Sequence, residues 1–171
     1  SLLFYAVGKN NVSILKEILK LYQDSRTQLL SWRFPKEGAV EVGIPGHITV
    51  LYGAMSFASP DFVVTLLDAG SIPYTTDIMG VDPLMAACAM GRLDNIKRWF
   101  ERVKDWDIDR QNEMFGSTAL HIAVYMGSGK YDLVRYLVCD VDYFLSVGAR
   151  EHLSFFISLC VSLINTHPHI H

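Results

Sequence analysis

One segment pattern returns four times along this chain, and that return constrains the fold more than any other feature. Three copies align directly: TVLYGAMSFASPDFVVTLLDAG (49–70), DPLMAACAMGRLDNIKRWFE (82–101) and TALHIAVYMGSGKYDLVRYLV (118–138). The starts of the first and second copies lie 82 − 49 = 33 positions apart, and those of the second and third 118 − 82 = 36. A further copy, LFYAVGKNNVSILKEILK (3–20), opens the chain. Leu3 and Leu51 are 48 positions apart, so about 15 residues are inserted after this copy relative to a period of ~33. A fixed period of this length is the mark of a stacked repeat protein.

Each copy reads as the same two-helix unit. Thr49, Asp82 or Thr118 supplies a side-chain oxygen to cap the start of a short apolar helix. Pro83 falls at the first helical position, where its missing N–H costs nothing. Small residues follow (Gly53 and Ala54, Ala86 and Ala87, Ala123) and allow close approach of neighbours. A break comes at Ala58–Ser59, Gly91 and Gly127. The second helix then carries Phe62, Val63, Leu66 and Leu67; Leu93, Ile96, Trp99 and Phe100; or Leu133, Val134, Leu137 and Val138. That i, i+3/i+4 spacing predicts one buried face. Helices this short do not persist alone, because nucleation is costly, so they must stack.

Four further details are family marks. Thr118-Ala119-Leu120-His121 and Asp82-Pro83-Leu84-Met85 each match half or more of a Thr-Pro-Leu-His tetrapeptide. Asp68-Ala69-Gly70-Ser71 matches a Glu-Ala-Gly-Ala turn, and Asp77-Ile78-Met79-Gly80 an Asp-x-x-Gly hairpin tip. With these marks the chain resembles the ankyrin-repeat family over roughly residues 2–20 and 49–138. The resemblance implies an all-α solenoid of about four helix-turn-helix repeats with β-hairpin-like connecting loops. The expected layout is a first repeat at 1–24, an inserted loop at 25–48, three repeats at 49–145 and an atypical closing helix or tail at 146–171. The insert holds Trp32, Phe34, Pro35, Gly38, Gly43, Pro45 and Gly46. It reads as an extended loop with a short strand at 39–42, either functional or mobile.

The resemblance also implies where a partner binds, since ankyrin domains recognise other proteins with the hairpin tips and the exposed ends of first helices. Carried over by position, the tip residues are Ile78, Met79 and Val81 in one finger, and Met114, Phe115 and Ser117 in the next. The first-helix residues are Ser56 and Phe57, Ala89 and Met90, and Tyr125 and Met126. Phe57, Met90 and Met126 share one repeat position, and Met79 and Phe115 another. Apolar side chains at positions that face water mark a contact surface. The competing reading is burial between repeats or beneath the insert. The expected partner-binding set is therefore Phe57, Ile78, Met79, Val81, Met90, Met114, Phe115, Tyr125 and Met126.

Composition narrows the partner. Lys and Arg number 15 against 18 Asp and Glu, a formal charge of −3, so no basic field exists to hold nucleic acid. Half the residues are hydrophobic, which excludes a disordered tail. The three cysteines, Cys88, Cys139 and Cys160, form no CxxC pair, which favours a reducing, cytoplasmic compartment over a disulfide framework. No signal peptide opens the chain, and a start at Ser1 rather than Met suggests a piece of a longer protein.

Catalysis finds no footing. Gly-Ser-Gly-Lys at 127–130 lacks the upstream Gly and the following Ser or Thr of a phosphate loop. His121 is expected to make structural hydrogen bonds, as the family's tetrapeptide histidine does. His167, His169 and His171 sit at a terminus that reads as frayed rather than metal-binding. The expected protein is a monomeric, non-enzymatic scaffold without cofactor or metal. The alternative is a regulatory segment of a larger enzyme or channel. The run EHLSFFISLCVSLIN (151–165) is shorter than the ~18–20 residues that cross a bilayer. It reads as a cap on the last repeat or a non-native terminus such as translated intron, ahead of a segment docking on a neighbour or a truncated membrane span.

Overall fold

The computed structural model describes residues 2–35, 45–126 and 131–140. Four helix pairs are stacked in chain order. They are α1 (Leu2–Gly8) with α2 (Val12–Leu21), α4 (Val50–Phe57) with α5 (Pro60–Asp68), α6 (Pro83–Met90) with α7 (Leu93–Arg102), and α8 (Ala119–Tyr125) with α9 (Tyr131–Arg135). A π-helical turn, Tyr136–Asp140, continues α9. Among the described residues there is no strand, only one isolated antiparallel bridge between Arg33 and Thr49. The fold is the expected all-α solenoid.

The caps form as the sequence requires. Thr49, Asp82 and Thr118 each accept a hydrogen bond from the backbone N–H three residues on, at Tyr52, Met85 and His121. Gly91 ends α6 in the left-handed region, φ 67°, where glycine is preferred. The inner first helices are apolar all round: Val50 to Ser56 of α4 and Pro83 to Cys88 of α6 are all buried. A helix apolar on every side must be covered on every side, and the layers before and behind do this. The second helices bury a single stripe, such as Phe62, Val63 and Leu66 on α5 and Asn95, Ile96 and Trp99 on α7.

Polar locks tie one layer to the next. Nδ2 of buried Asn95 donates to the carbonyls of Ala54, Met55 and Ala58 at 3.3, 3.1 and 3.0 Å, tying α7 to the C-terminal turn of α4 and its cap. Nη2 of Arg92 adds a bond to Ala58 O at 2.6 Å. Asn10 Oδ1 accepts from Ser59 N at 2.7 Å, joining the first repeat to the second.

The insert is more ordered at its edges than an extended loop. A helix, α3 (Arg26–Ser31), opens it, because Leu30 is drawn into the core and Leu29 packs against it. Residues 33–35 and 45–49 then face each other: Phe34 N donates to Ile48 O at 2.8 Å and His47 N to Phe34 O at 3.1 Å. Phe4, Trp32 and Phe34 pack edge-on with centroids 5.4–6.4 Å apart. Arg33 Nη1 donates to Thr76 O at 2.8 Å. The insert base is thus a first hairpin finger leaning on the second. The strand expected at 39–42, the Gly-Ser-Gly-Lys run and the tail from 146 lie outside the described residues.

A second linker is also anchored. Trp106, in the link between α7 and α8, is buried and stacks on Tyr74 and edge-on against Trp99, both at 5.0 Å.

Candidate interaction surface

Two fingers carry the expected tip residues, and each is held by one acidic or amide side chain at its base. In the finger over 77–81, Asp77 Oδ1 accepts the backbone N–H groups of Met79 and Val81 at 2.8 and 2.9 Å. Its Oδ2 accepts the Tyr52 hydroxyl at 3.1 Å. In the finger over 112–117, Asn112 Oδ1 accepts from Phe115 and Ser117 at 3.1 and 3.0 Å. With the backbone held inward in this way, Ile78, Met114 and Phe115 are exposed and Met79 is half-buried. A Cβ placed on Gly80 would lie 2.6 Å from Glu113 N, so the two tips abut.

The first-helix ends behave differently from position to position. Phe57, Met90 and Met126 are 51, 49 and 54% exposed. Ser56, expected beside Phe57, is instead buried: its hydroxyl donates to Tyr52 O at 3.0 Å, and the next layer covers it. Val81 is half-buried and packs against Ile48, Tyr52 and Ala86. Tyr125 is 88% exposed, yet its repeat-position counterpart is the buried Ser56.

Behind the fingers lies a buried polar cluster that the motifs hinted at without placing. Asp82 Oδ1 caps α6 at Met85 N, 2.8 Å. Its Oδ2 has no hydrogen-bond donor, and Arg110 Nε stands 3.7 Å away. Burial pushes the Asp82 carboxyl up to about 6, against lowering contributions from the Met85 N–H and Arg110. Burial, then the charge of Asp77, drives the Tyr52 hydroxyl far above its ordinary range. At the matching place in the last repeat, His121 Nδ1 accepts from Thr118 N at 3.1 Å and lies 3.0 Å from Thr118 Oγ1. Accepting at Nδ1 places the ring proton on Nε2. The histidine closes a capping box, the structural task expected of it.

Stacked two-helix layers, Asx-held fingers and this capping box coincide with a family match: the model for ankyrin repeats (many copies) fits residues 84–138. Over residues 84–138 the chain is similar to ankyrin repeats, and the all-α stack of helix pairs is consistent with that fold. No curated protein matches it. Ankyrin repeats are generally protein–protein interaction modules, and the family is typically non-catalytic. Among the described residues no group of three or more His, Cys, Asp or Glu could hold a metal ion. None of the described helices is long and apolar enough to cross a membrane.

Proposed function

We propose that this chain is a non-catalytic, monomeric interaction scaffold that binds another protein across its finger tips and the outer ends of its first helices. One observation carries the reading: a single repeat position is apolar and about half exposed in three successive layers, at Phe57, Met90 and Met126. Stacking sets these side chains in a row, and Ile78, Met79, Met114 and Phe115 extend it along the fingers. Solvent alone gives no reason for Met and Phe to recur there, whereas interface cores favour them. The net charge of −3 supports a protein rather than a nucleic-acid partner. The absence of any CxxC pair in the sequence supports a reducing, cytoplasmic setting.

Replacing Met79, Met90, Phe115 and Met126 together by Gln or Ser tests this. Capture of partners by the tagged chain should fall at least tenfold, while the circular-dichroism melting temperature moves by no more than a few degrees. Unchanged capture, or a collapse of the melt, would overturn the proposal.

A further inference from the structure

The turn that ends α1 matches the turn that ends α6 bond for bond. Asn10 and Gly91 are both left-handed, at φ 47° and 67°. Asn10 N donates to Val7 O and Asn11 N to Ala6 O, as Gly91 N does to Cys88 O and Arg92 N to Ala87 O. The match fixes the register: Lys9 precedes Asn10 as Met90 precedes Gly91. The repeat position that is apolar at Phe57, Met90 and Met126 is therefore a lysine in the first layer. Lys9 is exposed, its ammonium 5.8 Å from the Tyr5 ring centre. A cation near a helix C-terminus favours the dipole, yet the three later layers do without one. At the other end of the row, Glu113 is exposed on the third finger beside Met114 and Phe115. Among the described residues neither Lys9 nor Glu113 is in ion-pair contact. Between them the second finger shows no charge to solvent, since its only ionisable acids, Asp77 and Asp82, are buried. The row is thus apolar in the middle, positive at one end and negative at the other.

We infer that the partner docks with a dipolar segment: apolar side chains seated on Phe57, Met90 and Met126, a carboxylate over Lys9, and a Lys or Arg beside Glu113. This rests on the partner-binding reading above and adds a direction to it. Apolar burial is non-directional, so three similar side chains in a row accept a segment either way round, or slipped by one layer. Opposite charges at the two ends remove that freedom, because a reversed segment sets like charges together. Such exposed pairs add little affinity; their effect is on orientation and register. Length is compatible. Neighbouring helices pack about 8–10 Å apart, so the first and fourth layers are separated by roughly 24–30 Å. A helical segment of about 20 residues spans that distance, and an extended one does so in about 8–9 residues.

The probe is a library of random peptides, about 20 residues long to admit either conformation, displayed on phage and panned against the full chain. Enriched sequences should carry spaced apolar positions, Asp or Glu at one end and Lys or Arg at the other. One such peptide, synthesised and followed by fluorescence anisotropy, should bind the Lys9→Glu variant about tenfold more weakly, and exchanging its acidic residue for Lys should restore binding to that variant. Glu113→Lys should respond in the same way to the peptide's basic end. Both positions are exposed turn residues, so the circular-dichroism spectrum should not change. Peptides that bind Lys9→Glu as tightly as the natural chain overturn the inference and leave the apolar row standing. Peptides indifferent to Met90→Gln combined with Met126→Gln overturn the partner-binding reading itself. Panning that enriches no such charge pattern overturns the inference, as does a dimer in sedimentation equilibrium that Lys9→Glu disperses, which would give the row to a second copy.

Discussion

The fingers at 77–81 and 112–117 do the same job with different chemistry. Both place an Asx oxygen under the turn and both use a glycine in the left-handed region, Gly80 at φ 75° and Gly116 at φ 62°. The third finger is built from neutral groups: Asn112 accepts from the Phe115 and Ser117 backbone, and Thr118 and His121 satisfy each other, all locally. The second finger stands on two buried carboxylates, Asp77 and Asp82, and draws on distant groups, Tyr52 from the layer before and Arg110 from the link leading into the finger after. A finger at the end of the stack can be self-contained. One in the middle is wedged between neighbours, and its polar groups reach across the layers.

The largest expected difference lies in the glycines. At Gly80 an added Cβ meets the Glu113 backbone nitrogen at 2.6 Å, while at Gly116 the nearest atom is a Gln111 side-chain oxygen at 3.7 Å, ordinary contact. Both carry the left-handed cost of about 1–2 kcal/mol, but only Gly80→Ala also forces two fingers apart. Denaturant titration should give a loss of about 3 kcal/mol or more for Gly80→Ala and about 1 for Gly116→Ala. Equal losses would mean that the tips do not abut.

Next in size is the buried charge. Asp82→Thr installs the residue that caps α4 and α8, keeps an acceptor for Met85 N and removes the carboxylate. The folded protein holds the Asp82 proton more tightly than the unfolded chain, about 6 against 3.8. The stability tied to this group is therefore fully present below 3.8 and is lost as pH rises through about 6. Relative to Asp82→Thr, the natural chain should lose ground between pH 4 and pH 7 by an amount on the order of 2–3 kcal/mol. Parallel stability–pH curves would show that Asp82 is solvated. The matching change in the third finger, Thr118→Ser, should produce no such slope.

How much of this was legible in sequence depends on how far each interaction reaches along the chain. The caps at Thr49, Asp82 and Thr118, the turn at Gly91 and the stripe Phe62, Val63, Leu66 act within one or two turns, so their residues announce them. Asn95 was silent: it sits in a helix of charged residues, and only the stack reveals the carbonyls at the end of α4, 37–41 positions upstream, to which it donates. Trp106 and α3 were silent for the same reason, being placed by Tyr74, Trp99 and the core rather than by periodicity. On the candidate surface, repeat register found the exposed positions of Phe57, Met90 and Met126. It could not separate Ser56 from Phe57, because adjacent residues on a helix point about 100° apart and only the covering layer decides which is wet.

The smallest effect sharpens the contrast most. Arg110 is partly exposed, its Nε is 3.7 Å from Asp82 Oδ2, and its guanidinium lies 5.8 Å from the Trp106 ring centre. Exposed cations at such distances contribute little, so Arg110→Ala should cost less than about 1 kcal/mol at neutral pH. Its signature is instead the titration of Asp82: Arg110 holds that carboxyl down, so its removal should move the midpoint further up, read by carboxyl-carbon NMR. A double-mutant cycle separates the two roles. In the Asp82→Thr background, Arg110→Ala should leave the pH dependence unaltered and retain only the loss from the Trp106 contact. If the double variant still shows a slope between pH 4 and pH 7, the proton is carried by a group other than Asp82.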